Sequence, residues 1–258
     1  MTNIRNALMQ AAGSASGDKV YVEDVFNTTL FIGNSADNRD FVTGLDMSGE
    51  GGMCWFKCRG TTDGHEIYDT VRGVNKVLFA EGTNAETTQT SSLTAFNNDG
   101  FELSSNISVN VNTRESVGWS FRKKEGFFDV VTYTGTGSSK TVSHNLGCVP
   151  GMIIVKMITT AGYKWRVWHK SLGNNMALCL NDDSAESDDG GGGGGWWNNT
   201  APTSSVFSVG TYGQTNNNGD TFVAYLFADG DNSAAQIFGD DGDEAIIKCG
   251  TVSTNSRG

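Results

Sequence analysis

Apolar and polar positions along this chain fall into short runs closed by Gly, Asn and Ser turns. That is the pattern of β-strands rather than of long amphipathic helices. Val25 to Ile32 is one such run and ends in the turn at Gly33; Phe127 to Thr134 is another and ends at Gly135. Gly52 to Lys57 (Gly-Met-Cys-Trp-Phe-Lys) is echoed by Gly151 to Lys156 (Gly-Met-Ile-Ile-Val-Lys). His65 to Asp69, leading to Gly73, is echoed by Trp165 to His169, leading to Gly173. Val117 to Phe121 returns as Val223 to Phe227. One stretch, residues 1–12, carries a helical signal. Thr2 or Asn3 can cap it, Ile4, Leu8 and Ala11 share one side, and Gly13 ends it.

Matches in the same order, at offsets of about 100 residues, mark an internal repeat. Apolar positions return (Phe31 and Tyr133, Met53 and Met152, Tyr68 and Trp168), whereas polar ones do not: His65 answers to Trp165, Glu66 to Arg166 and Asp69 to His169. A duplicated core without duplicated polar groups points to a building block rather than to a duplicated active site. The pattern predicts an all-β chain of two tandem β-sandwich, jelly-roll-like modules preceded by a short N-terminal helix. The expected boundaries are 1–19 for helix and Gly/Ser tether, 20–125 for the first module, 126–231 for the second and 232–258 for an acidic linker and a last strand. Ile246 to Gly258 resembles the opening of each module, so it either closes module two or begins a third copy.

Composition narrows the function. With 258 residues, 34 Gly and 2 Pro, the chain has room for two ordinary domains of short strands and polar turns. A net charge of −11 argues against nucleic-acid partners, which need basic patches. No run of 18 apolar residues is present, so membrane insertion is not expected. The N-terminus lacks the basic flank and apolar core of a secretory signal, which leads us to expect synthesis in a cytoplasm. Cys54, Cys58, Cys148, Cys179 and Cys249 are an odd set in a chain too long to need a disulfide framework. Cys54 and Cys58 share a strand face; with no second Cys/His pair at matching spacing they read as buried thiols rather than half of a zinc site.

Several motifs invite chemistry. Gly135 to Thr141 follows a strand but has Ser139 where a phosphate loop needs glycine, and a strand follows it, so it reads as a hairpin turn. The run Asn181 to Asp189 is acidic but too irregular for a calcium loop. After it come Gly190 to Gly195 and the pair Trp196-Trp197, which either plug the module core or stack on a sugar ring. Arg122, Lys123 and Lys124 form a basic run that reads as a solvated strand end or a contact to an acidic neighbour. The three histidines (His65, His144, His169) form no metal or triad motif; strand pairing could bring Glu66 and Asp69 near another acid, as sugar hydrolysis requires, but the two copies share no matching acids. No catalytic residue, metal or cofactor is assigned, and no enzymatic activity is expected.

Phe127 to Gly137 together with His144 to Lys156, Asp69 to Gly73, Thr94 to Phe101, Trp197 to Thr203, and the opening from Ile4 to Phe26 resemble a module of virion structural proteins of marine tailed phages, including tail and tail-fibre proteins. The resemblance covers nearly the whole chain and none of its motifs is catalytic. It implies a virion location, other virion proteins as partners and a tail or fibre position. Capsid decoration or a head fibre is the second placement, and a glycan-binding host-recognition adhesin the second function. A docking role for Ile4, Leu8 and Ala11, a host surface glycan on Trp196 and Trp197, and a homo-oligomer (a trimer if a fibre) complete the expectations.

Overall fold

The computed structural model describes residues 19–105, 107–188 and 194–252. Segment 1–12, with Ile4, Leu8 and Ala11, lies outside the described residues, as do Asp189 and residues 190–193 of the glycine run.

The chain is mostly β, built of antiparallel sheets. Its strands are β1 (Phe26–Ile32), β2 (Arg39–Val42), β3 (Gly52–Cys58), β4 (His65–Asp69), β5 (Lys76–Phe79), β6 (Thr87–Thr88), β7 (Leu93–Asn97), β8 (Gly100–Leu103) and β9 (Glu115–Arg122). They continue with β10 (Phe128–Thr134), β11 (Lys140–Ser143), β12 (Met152–Met157), β13 (Arg166–His169), β14 (Met176–Cys179), β15 (Ser187–Asp188), β16 (Val206–Val209) and β17 (Thr221–Phe227). One six-stranded sheet runs β1-β9-β3-β4-β5-β6 and the other β10-β17-β12-β13-β14-β15. The order is the same once each strand is replaced by its repeat. A small sheet, β2-β8-β7, belongs to the first set and a pair, β11-β16, to the second.

The repetition extends to register. Phe26 faces Phe121 across β1 and β9, as Phe128 faces Phe227 across β10 and β17. Met53 faces Phe121 as Met152 faces Phe227, and Glu66 faces Phe79 as Arg166 faces Cys179. In the small sheets Phe41 faces Phe101 as Val142 faces Phe207. Because a one-residue slip would turn every side chain to the other face, matched register means matched core faces.

Both faces of each large sheet are buried along the central strands. On the first sheet, Cys54, Phe56, Cys58 and Tyr68 point to a core shared with Phe41, Leu93 and Phe101 of the small sheet. On the second, Ile153, Val155, Trp168 and Leu226 meet Val142, Phe207, Trp196 and Trp197. The alternate residues of both large sheets meet each other: Met53, Ile67 and Leu78 pack with Phe128, Ile154, Val167, Tyr225 and Phe227. This double burial is why Phe222 to Phe227 read as a continuous apolar run instead of alternating.

The C-terminal part folds back on this body. Ile246 and Ile247 pack against the core between the large sheets, and the Cys249 amide donates to Asp229 at 3.2 Å. Lys170 bridges Asp229 and Asp231, and Lys248 reaches Asp231 at 2.8 Å.

Candidate functional site

A cluster of fully buried polar groups lies where the two large sheets meet. Asp69, at the end of β4, turns toward the second sheet because it shares a face with Ile67. Arg72 follows in the tight turn to Gly73, where φ is +91° and a side chain would be strained. The Arg72 Nε donates to Asp69 Oδ2 at 2.5 Å, its Nη1 lies 3.4 Å from Glu86, and its Nη2 donates to the Ile67 carbonyl at 3.0 Å. From the other sheet, the Tyr225 hydroxyl donates to Asp69 at 2.7 Å and accepts from Arg72 Nη2 at 3.3 Å. Burial disfavours the guanidinium charge; the Tyr225 oxygen and the Asp69 and Glu86 carboxylates outweigh it and raise the Arg72 pKa. The second repeat has His169 and Leu172 at the matching places, so the network exists once and serves both sheets.

Glu66 and Asp69 do not share a site, and Arg72 stands between Asp69 and the neighbouring acid Glu86. Glu66 and Asp69 point to opposite faces of β4, Glu66 lying on the side of Tyr68. Glu66 accepts from the Tyr68 hydroxyl at 2.8 Å and from Ser108 Oγ at 2.5 Å; burial raises its pKa and these bonds counter the rise. His65 Nδ1 accepts from Trp55 Nε1 at 2.9 Å, and burial, then Lys57, lowers its pKa. His144 Nδ1 accepts from the Leu146 amide at 3.2 Å, and its ring stacks on Phe207.

Trp196 and Trp197 are 7% and 2% exposed, so neither presents a ring face on which a sugar could stack. Trp197 Nε1 donates to the Met176 carbonyl at 2.9 Å. The Trp196 ring carries the Arg166 guanidinium at 4.1 Å and meets Tyr212 edge-on at 4.5 Å. Arg166 itself is held by Gln214 at 2.7 Å and lies 2.9 Å from Cys179 Sγ. Both indoles therefore belong to the core, which corrects the stacking expectation for these two residues.

The charged runs are engaged locally. Arg122 Nε donates to the Asp24 carbonyl at 2.7 Å and Lys123 pairs with buried Asp129 at 2.9 Å. In the acidic stretch, Lys164 and Ser184 hydrogen-bond Asp182 and hold its carboxyl well below the usual carboxylate range. Cys54 and Cys58 both enter the core; burial pushes the Cys54 thiol up to about 12, so it stays protonated and inert. Among the described residues no three His, Cys, Asp or Glu side chains gather to hold a metal ion.

Two pairs of residues that sequence reasoning missed recur in both halves. Buried Asn110 donates to the Ala36 and Ser104 carbonyls at 3.0 and 3.1 Å and accepts from the Asn34 amide at 3.3 Å. Asn216 repeats this with Ser138 and Gly210 at 2.7 and 2.5 Å and with the Thr136 amide at 2.8 Å. Arg39 sits over the Phe31 ring and donates to the Ile32 carbonyl at 2.7 Å; Lys140 sits over Tyr133 and donates to the Thr134 carbonyl at 2.9 Å. The signal was available, since each pair lies at the offset of its neighbouring strands, but isolated polar residues in turns carry no periodicity.

Compared with known proteins, residues 22–250 match the family model described as a domain of unknown function, DUF7483, and the chain belongs to that family. No curated protein and no solved structure matches it.

Proposed function

With membership of DUF7483 as the premise, we propose that this chain is a non-enzymatic structural component of a bacteriophage virion, two tandem β-sandwich modules in a tail or tail fibre. One observation carries the reading: the two halves repeat strand order and register, and the buried polar groups brace that scaffold. Glu66 ties β4 to the Ser108 turn, Asp69 and Arg72 tie one large sheet to the other, and Asn110 and Asn216 tie matching loops. The partners in this reading are other virion proteins and further copies of the chain, three if it forms a fibre. Mass spectrometry of purified particles tests it: the protein should be present in stoichiometric copies, and detection only in the infected-cell lysate rejects the reading.

A glycan-binding adhesin is the second reading, and one observation favours it. Tyr212 is 38% exposed and braced edge-on by buried Trp196, which holds an aromatic ring at the surface. A glycan array with the wild type and Tyr212→Ala separates the readings. Binding lost in the variant supports the adhesin, and no binding by either leaves the structural role.

A further inference from the structure

Strand β1 is an edge of the first large sheet, and the equivalent β10 is an edge of the second. The two edges differ at the positions that face outward. Leu30 and Ile32 are 66% and 60% exposed, and the matching exposed residues of β10 are Thr132 and Thr134. The aromatic positions (Phe26 and Phe128, Phe31 and Tyr133) and the cation on the last carbonyl, Arg39 on Ile32 and Lys140 on Thr134, are kept, whereas exposed Thr28 answers to buried Val130. The second repeat therefore shows what this edge carries when it faces water, and the first repeat departs from it toward large aliphatic side chains.

Among the described residues, backbone geometry leaves the same strand open. The Gly33 amide bonds the Arg114 carbonyl and the Arg122 amide bonds the Val25 carbonyl, so the odd-numbered residues of β1 exchange hydrogen bonds with β9. The N–H and C=O groups of Thr28 and Leu30 consequently point to the open edge. Thr28 lies opposite Trp119, and Trp119 opposite Trp55, so both half-buried indoles share the face of Leu30 and Ile32. Trp55 packs against the core between the two large sheets. The apolar surface at β1 is thus the uncovered continuation of a face that the chain already buries against its own repeat.

We propose that β1 pairs antiparallel with β1 of a second copy of this chain, about a two-fold axis through Thr29, joining two six-stranded sheets edge to edge. A second copy fits because the strand offers outward donors and acceptors to a strand of the same register, and because opposite residues in an antiparallel pair share a face. The axis brings Thr28 and Leu30 of the two copies together and buries the aliphatic side chains that water otherwise meets. Such an edge is a template for pairing unless charge, proline or cover blunts it, and a self-complementary contact closes at two copies. The contact does not rest on the virion reading, and it differs from the three-fold contact of a fibre trimer.

Sedimentation velocity of the full chain over a concentration series tests the proposal, with Leu30→Thr/Ile32→Thr as the variant that copies the second repeat. The wild type should sediment as a dimer, and the variant should dimerise at least about a hundredfold more weakly, since four aliphatic side chains leave one contact. Thr28→Pro is the second variant; its N–H points outward, so the change removes no bond to β9, and it should also give monomers. A wild type that stays monomeric overturns the proposal, as does a dimer or trimer unchanged by either variant. A chain that becomes dimeric only after residues 1–18 are removed overturns it too, by showing that the chain's own N-terminal segment takes this face.

Discussion

Phe121 and Phe227 hold equivalent positions in the two repeats and meet edge-to-face at 5.7 Å between the large sheets. Each also packs against its own edge strand, Phe121 on Phe26 at 4.9 Å and Phe227 on Phe128 at 5.1 Å. The duplicated element is therefore joined to its copy through the face the duplication made identical. Aromatic pairs in this geometry add to the stabilisation from area burial alone.

Removing one ring of that pair should be felt in both halves. Phe227→Ala is expected to cost about 3–5 kcal/mol, the usual range for a buried phenylalanine. Because the sheets share one core, urea unfolding followed by tryptophan fluorescence and by far-ultraviolet circular dichroism should give one coincident transition. Two separated transitions, with only the second repeat weakened, would contradict the shared core.

Arg72→Met should be more damaging than its position in a turn suggests. It leaves the Asp69 carboxylate at 0% side-chain exposure without its cation, and breaking a buried pair from one side costs about 3–5 kcal/mol. Tyr225→Phe removes one hydroxyl shared by Asp69 and Arg72 and should cost about 1–3 kcal/mol. Equilibrium denaturation of both variants checks the ranking, and equal losses would show that the charge is not what the seam depends on.

Lys156 gives the fold a pH signature. Its side chain is buried, and Nζ donates to the Tyr163 carbonyl at 2.6 Å and the Thr83 carbonyl at 3.4 Å. Burial lowers its pKa from 10.5 to about 8. Between those values the unfolded chain holds a proton that the folded chain has released, so stability rises with pH across that window. Relative to Lys156→Met, the wild type should gain stability as pH goes from about 8 to 10.5. Parallel stability profiles for the two proteins would rule out this titration.

Asn110→Leu and Asn216→Leu test whether the matching loops depend on matching bonds. Each substitution leaves two carbonyls without their side-chain donor, those of Ala36 and Ser104 or of Ser138 and Gly210. Each should cost about 2–4 kcal/mol, and the two costs should be alike. Thermal unfolding of the single variants measures this; a large loss at one site and none at the other would mean that the loops are not equivalent in energy.

If Ile4, Leu8 and Ala11 dock on the particle and not on this body, deleting residues 1–12 should leave the unfolding transition of the body unchanged within about 0.5 kcal/mol. On the virion reading it should lower incorporation into particles, because a few buried aliphatic side chains supply roughly 1.5–3 kcal/mol each to docking. Particle content measured by quantitative mass spectrometry checks this, and normal incorporation moves the anchor to the body of the chain.

The sequence by itself determined what depends on neighbours along the chain. Alternation and turn residues located β1, β3, β4, β9 and their counterparts, and the strand period put Cys54 and Cys58 on one face. The offsets between echoing runs imply one register shared by both copies, and the pairing itself puts 121 opposite 26 as 227 lies opposite 128. Tertiary structure alone decided which apolar face covers which. A strand such as Thr221–Phe227 is apolar on both sides, and nothing local says that Leu226 meets the small sheet while Tyr225 meets the other repeat. The burial of Trp196 and Trp197, the Asp69–Arg72–Tyr225 contact and the open edge at Leu30 all follow from that choice. It rests on contacts between strands that are not neighbours along the chain, Asp69 with Tyr225 among them, whose free energy comes from excluding water between whole faces and leaves no mark on the period of either strand.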